Sequence, residues 1–74
     1  MMCRAKSTFS IPMENGTETN FIIDKEYRCV ERSNGDMVVM DENKQAVQLR
    51  RVDFDHCFAI EWLFYQEEKY YESR

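Results

Sequence analysis

The sequence predicts a small all-β domain of about five strands around a three-stranded meander, with a short C-terminal helix. Three observations carry that prediction. Tyr27 to Leu49 is a set of short apolar alternations separated by two polar knots, Ser33-Asn34-Gly35-Asp36 and Asp41-Glu42-Asn43-Lys44-Gln45. Thr8, Phe9 and Ile11 run into Pro12, as in a strand that must end or lie at an edge. The alternation breaks at Val52 to Asp55, where one helical turn would bring Phe54 under the sheet.

The elements follow in order. The first strand lies within Arg4 to Pro12, and the polar, glycine-containing stretch from Met13 to Asn20 reads as a loop. Phe21-Ile22-Ile23 leads through a tight turn at Asp24-Lys25-Glu26 into the meander. With Asn34 and Gly35 as the central residues of a two-residue type I′ turn, Ser33 pairs with Asp36 and Cys29 with Met40. A period of two then places Tyr27, Cys29, Val38 and Met40 in the core. Arg28, Val30, Arg32, Met37, Val39 and Asp41 fall on the outer face, with Arg28 opposite Asp41. After the second turn Val47 and Leu49 point inward, and Gln48 and Arg50 outward. In the last third, Phe54, Phe58, Trp62 and Tyr65 have helical spacing, whereas Phe58, Ile60, Trp62 and Phe64 alternate. The expectation is a strand over Cys57 to Trp62, followed by a helical aromatic tail over 63–74 within one domain of 1–74.

The order of strand, loop, Lys25-Glu26-Tyr27 turn, two hairpins, one-turn helix and last short strand resembles the small SH3-like barrels of bacteria and their phages. The residues that carry the resemblance are Lys25-Glu26-Tyr27, Gly35 to Asp41, Val47-Gln48-Leu49 and Phe54, within Phe21 to Ile60. It departs from the pattern at Asp24, where a glycine is usual, and in the aromatic tail beyond Trp62. The resemblance implies a barrel and, for phage members, a short protein that binds and redirects host machinery. It assigns no functional residue, because the shared positions mark the fold alone.

Composition narrows the function. With 74 residues, 43% hydrophobic and 32% charged, the chain is a folded domain at the size where a single core is marginal. A net charge of -4 disfavours phosphate backbones and anionic membranes and favours basic protein surfaces. No run reaches the ~20 apolar residues of a membrane span and the N-terminus lacks the apolar stretch of a signal peptide, so a cytoplasmic location is expected. Cys3, Cys29 and Cys57 are odd in number and widely spaced, as reduced thiols in a reducing compartment would be.

The chemical candidates are weak. Cys3, Cys29, Cys57 and His56 could supply a Cys₃His set by count, but no CxxC or HxxxH spacing supports one, and no metal or cofactor is expected. His56 follows Asp55, which reads better as a helix-starting carboxylate than as the partner of a general base, so no enzyme is expected. The leading expectation is a protein-binding module, a regulator or inhibitor that occludes a surface of a host or bacterial protein. Its anchors would be Trp62, Phe64, Tyr65, Tyr70 and Tyr71, with Met37 and Val39 from the meander. The same aromatics could instead cover the fold or join two copies of the chain. The alternative is single-stranded nucleic acid on an outward face of Arg28, Arg32, Arg50 and Arg51.

Overall fold

The computed structural model describes residues 1–60. It contains seven strands and one short helix. They are β1 (Met2–Ala5), β2 (Phe9–Pro12), β3 (Glu18–Phe21), β4 (Glu26–Glu31), β5 (Met37–Met40), β6 (Ala46–Leu49), α1 (Arg51–Cys57) and β7 (Phe58–Ile60). Five strands form one antiparallel sheet in the order β6-β5-β4-β1-β7, and β2 and β3 form a second. The protein is mostly β, as expected. Among the described residues seven strands form two sheets, neither closed on itself, where about five strands were expected.

The predicted meander is present as β4-β5-β6. Its first register is not the predicted one. Arg28 stands opposite Met40 and Cys29 opposite Val39, one residue from the expected pairing. The cause lies in the turn. The Arg32 amide donates to the Asp36 carbonyl at 2.7 Å, the Gly35 amide donates to the Arg32 carbonyl at 3.0 Å, and only Gly35, at φ +93°, is left-handed. Asn34 does not have the positive φ that type I′ requires. Its Oδ1 instead accepts the Asp36 amide at 3.0 Å, which favours a three-residue loop ending in a left-handed bulge.

Because side chains alternate strictly, that slip turns the whole of β5 over. Met37 and Val39, expected outside as anchors, are 0% exposed in the core, whereas Val38 and Met40, expected inside, lie on the outer face. Asp41 is also corrected from the outer face to a buried position at 5% exposure. Its Oδ1 accepts the Asn43 and Gln45 amides at 2.9 Å and its Oδ2 accepts the Asn20 amide at 3.3 Å. Tyr27, Cys29 and Val47 face inward as predicted.

The same loop geometry recurs twice. Met13 and Asp41 donate to the carbonyls of Thr17 and Gln45, and the left-handed residue is Gly16 in one loop and Lys44 in the other. Each loop has an asparagine before that residue: Asn15, Asn34 and Asn43. The stretch expected to be loop from Met13 to Asn20 is therefore the loop of the β2–β3 hairpin, with β3 starting at Glu18. β1 was not expected as a separate strand. Its residues Cys3 and Ala5 are small and buried, and its order comes from two neighbours, β4 and β7, distant in sequence.

The core is aromatic. Phe21 lies with ring centroids 4.9 Å from Tyr27 and 5.1 Å from Phe58, both edge-to-face, and Phe54 stacks on Phe58 at 5.3 Å. Phe9 closes the cluster from β2 at 5.2 Å from Phe21. Such pairs each contribute about 0.5–1.5 kcal/mol beyond the area they bury. The Tyr27 hydroxyl accepts the Ile22 amide at 2.8 Å, so its polar end is satisfied. α1 delivers Phe54 to the core as predicted, but runs for seven residues rather than one turn. Asp55 consequently sits inside the helix, where it accepts from Arg51 Nε at 3.0 Å, and does not start it. β7 occupies the predicted strand region from Phe58 to Ile60, with Phe58 and Ile60 inward, whereas Cys57, expected to start that strand, is the last residue of α1; Glu61 and Trp62, expected in the same strand, lie outside the described residues, as does the expected tail over 63–74.

Candidate binding face

The core lies against one face of the five-stranded sheet, and no element among the described residues covers the other. The register aligns its outward side chains in rows. Met2, Arg28, Met40 and Ala46 form one row, and Val30, Val38 and Gln48 the next. Val30 is 54% exposed, Met40 38% and Met2 36%. With Met1 they line an open groove of about 330 Å³. Valines on the outer face of β4 and β5 satisfy the strands' preference for β-branched residues while leaving apolar surface in water. A contiguous apolar patch rimmed by polar groups is the usual mark of a contact surface.

The charges around the face are arranged unequally. Arg28 stands inside the apolar patch and Arg32 at its end, both exposed and neither in an ion pair among the described residues. Arg4 meets Glu26 at 3.3 Å across the β1–β4 pair. The remaining arginines of the expected nucleic-acid face are engaged. Arg50 bonds Asp53 at 3.2 Å, and Arg51 bonds Asp55 and lies 3.8 Å from Glu31. Asp36, held by Gln48 at 2.9 Å, faces Arg32 across the hairpin. The structure thus places Arg28, Arg32 and Arg50 on one side of the sheet, but interrupts them with Asp36 and the Val30–Val38 row.

Cys3 and Cys29 lie side by side in the core, on neighbouring strands. The Cys29 thiol is held below its ordinary pKa chiefly by a hydrogen bond from Cys3; burial opposes this, and the terminal ammonium and Arg51 assist it. Cys57 is half-buried at the end of α1. Among the described residues, no three His, Cys, Asp or Glu side chains come together as a metal site would require, so the Cys₃His count is not matched in space. The aromatic anchors Trp62, Phe64, Tyr65, Tyr70 and Tyr71 lie outside the described residues. No helix among the described residues is long and apolar enough to cross a membrane.

Sequence reasoning selected the right strand for the open face but the wrong residues on it. Val38 and Met40 were missed because Met37-Val38-Val39-Met40 is apolar on both sides. The signal that would have found them is the shared x-Asn-Gly/Lys form of the three loops, since Glu42-Asn43-Lys44 is ill suited to a type I′ turn. Searches against family models, curated proteins and solved structures found no match to this chain.

Proposed function

We propose that this chain is a non-enzymatic protein-binding module of SH3-like build, a small bacterial or phage regulator that occludes a surface of a host protein. The observation that carries the reading is the outer face of the five-stranded sheet, where Met2, Val30, Val38 and Met40 surround Arg28, which has no ion-pair partner among the described residues. Apolar anchors around a cation that has no partner of its own suit a protein surface offering a hydrophobic patch and a carboxylate. The net charge of -4 would steer the chain toward a target that is basic around that patch. Support for the SH3-like build comes from the order β1, β2–β3 hairpin, β4-β5-β6 meander, short helix, and a last strand returning to β1. Trp62, Phe64, Tyr65, Tyr70 and Tyr71 are proposed to extend the contact surface beyond β7.

The test is capture from a bacterial lysate by tagged chain, unaltered and with Val30→Asp, each with and without nuclease. Val30 is exposed, so the substitution should leave folding intact. A stoichiometric protein that survives nuclease and is lost with Val30→Asp supports the reading. A partner retained by Val30→Asp removes this face from it. Loss of all partners on nuclease treatment would favour the second reading, nucleic acid held by Arg28 and Arg32. Affinity would then fall with salt at a log-log slope of about -0.7 per phosphate contact.

A further inference from the structure

We propose that Cys3 and Cys29 form a peroxide-sensitive dithiol site, which closes to a disulfide between β1 and β4 and reopens on reduction. Two neighbouring strands bring the pair together. Cys3 stands opposite Tyr27, and Cys29 lies two residues further along β4 on the same inward face. The Cys29 amide donates to the Met1 carbonyl at 2.9 Å, which fixes this register at the outermost rung of the β1–β4 ladder. Cys3 is 0% exposed and Cys29 5%, and the Cys3 thiol donates a hydrogen bond to the Cys29 sulfur. A buried cysteine that only packs needs no second sulfur beside it. Two sulfurs in contact are the reactants of a disulfide, already assembled by the fold.

The two thiols are chemically unequal. The hydrogen bond from Cys3, assisted by the terminal ammonium and Arg51 and opposed by burial, holds Cys29 below its ordinary pKa, so Cys29 supplies the thiolate. Its sulfur attacks one oxygen of hydrogen peroxide and breaks the O–O bond, leaving a sulfenic acid on Cys29 and releasing hydroxide. The Cys3 thiol then attacks that sulfur, and its proton leaves with the sulfenic hydroxyl as water. The hydroxide takes up the proton that Cys29 had given to solvent. Two thiols and one peroxide thus become one disulfide and two waters, with two electrons passing from sulfur to oxygen. Peroxide is small, and opening of the outermost rung is enough to admit it. The register also sets how firmly the bond is held. Diagonal neighbours on antiparallel strands have Cα atoms about 7–8 Å apart, whereas a relaxed disulfide needs them within about 6.8 Å. Closing the bond therefore shifts β1 against β4, and strained disulfides of this kind belong to the readily reduced, regulatory class. The site is independent of the protein-contact reading above.

The experiment treats the full chain with hydrogen peroxide under native conditions, blocks the remaining thiols with iodoacetamide after denaturation, and reads the intact mass and the tryptic map. Expected is a monomer lighter by two hydrogens that takes up iodoacetamide only at Cys57, with the peptides of Cys3 and Cys29 joined in the map. Excess reduced glutathione should reopen the bond. Cys57→Ser should still close it, since Cys57 lies on α1 away from the pair. Cys3→Ala should leave Cys29 as a sulfenic acid that dimedone traps, and Cys29→Ala should slow oxidation of Cys3 by about tenfold through loss of the thiolate. Circular dichroism confirms the fold of each variant, and the map of the unaltered chain stands without them. Three free thiols after peroxide, a bridge to Cys57, or a bridge between two chains overturns the proposal. So does closure that occurs only in denaturant, which removes the folded register as its cause, and so does a bond that glutathione leaves intact, which makes it a structural one.

Discussion

At the scale of single residues, the three loops set up a natural comparison. Gly16, Gly35 and Lys44 occupy the same left-handed position, and only Lys44, at φ +63°, carries a side chain there. A Cβ in that region is unfavourable, so Lys44→Gly should stabilise the protein by about 0.4–1 kcal/mol, offset in part by greater freedom of the unfolded chain. A chemical-denaturation midpoint that fails to rise would show that the loop is not held in this form. What holds Lys44 in place is Asp41, whose carboxylate takes three backbone amides. Asp41→Ala leaves those donors without an acceptor and should cost about 1–3 kcal/mol, read in the same titration. The thiols give a further contrast. Cys57 should react with a thiol reagent under native conditions, and Cys3 and Cys29 only on opening, as their burial dictates. A depressed Cys29 pKa means that folding favours the thiolate. Its contribution is lost as pH falls through the folded-state value and is fully present only above the ordinary one.

At the scale of elements, β5 separates what was readable from what was not. β4 and β6 have one apolar and one polar face over most of their length, and the inward positions of Tyr27, Cys29 and Val47 follow from that pattern alone. β5 is apolar at every position, so pattern could not choose between its faces, and the choice passed to the length of one turn. The observed register predicts opposite outcomes for two methionines on the same strand. Met37→Ala empties a fully buried site and should cost about 2–5 kcal/mol. Met40→Ala removes an exposed side chain and should change stability by no more than about 0.5 kcal/mol. If the order of the two effects were reversed in urea unfolding, the type I′ register would be the correct one. β1 and β3 were illegible for another reason. Met2–Ala5 and Glu18–Phe21 contain few strong strand formers, and their order comes from partners the local pattern does not reveal. Phe54 and Phe58 were legible because a helical turn followed by an alternating strand brings both to the same side, where their rings stack.

At the scale of the whole molecule, the two ends of the described chain are joined through one strand. β1 lies between β4 and β7, so within the described sheet the last strand is hydrogen-bonded to the meander through β1, while α1 joins it to β6 along the chain. It also supplies Met2 to the open face, so fold and candidate site depend on the same few residues. This makes the protein cooperative in a testable way. Arg4 pairs on both sides, with Glu26 and with Ala59. Arg4→Pro would delete an amide from a strand bonded on both edges and should cost about 3 kcal/mol or more, a large share of the stability of so small a domain. Ser10→Pro, in the two-stranded sheet, interrupts a strand with a single partner and should cost less. Near-UV circular dichroism on heating distinguishes a joined molecule from a modular one. If β1 is the joint, Arg4→Pro loses the signal of the Phe21, Tyr27, Phe54 and Phe58 cluster in a single transition at a much lower temperature, and any Val30-dependent partner is lost with it. A variant that retained the meander's aromatic signal and its partner while losing only β7 would show that β4-β5-β6 is sufficient for both, and that β1 merely docks on a face already formed.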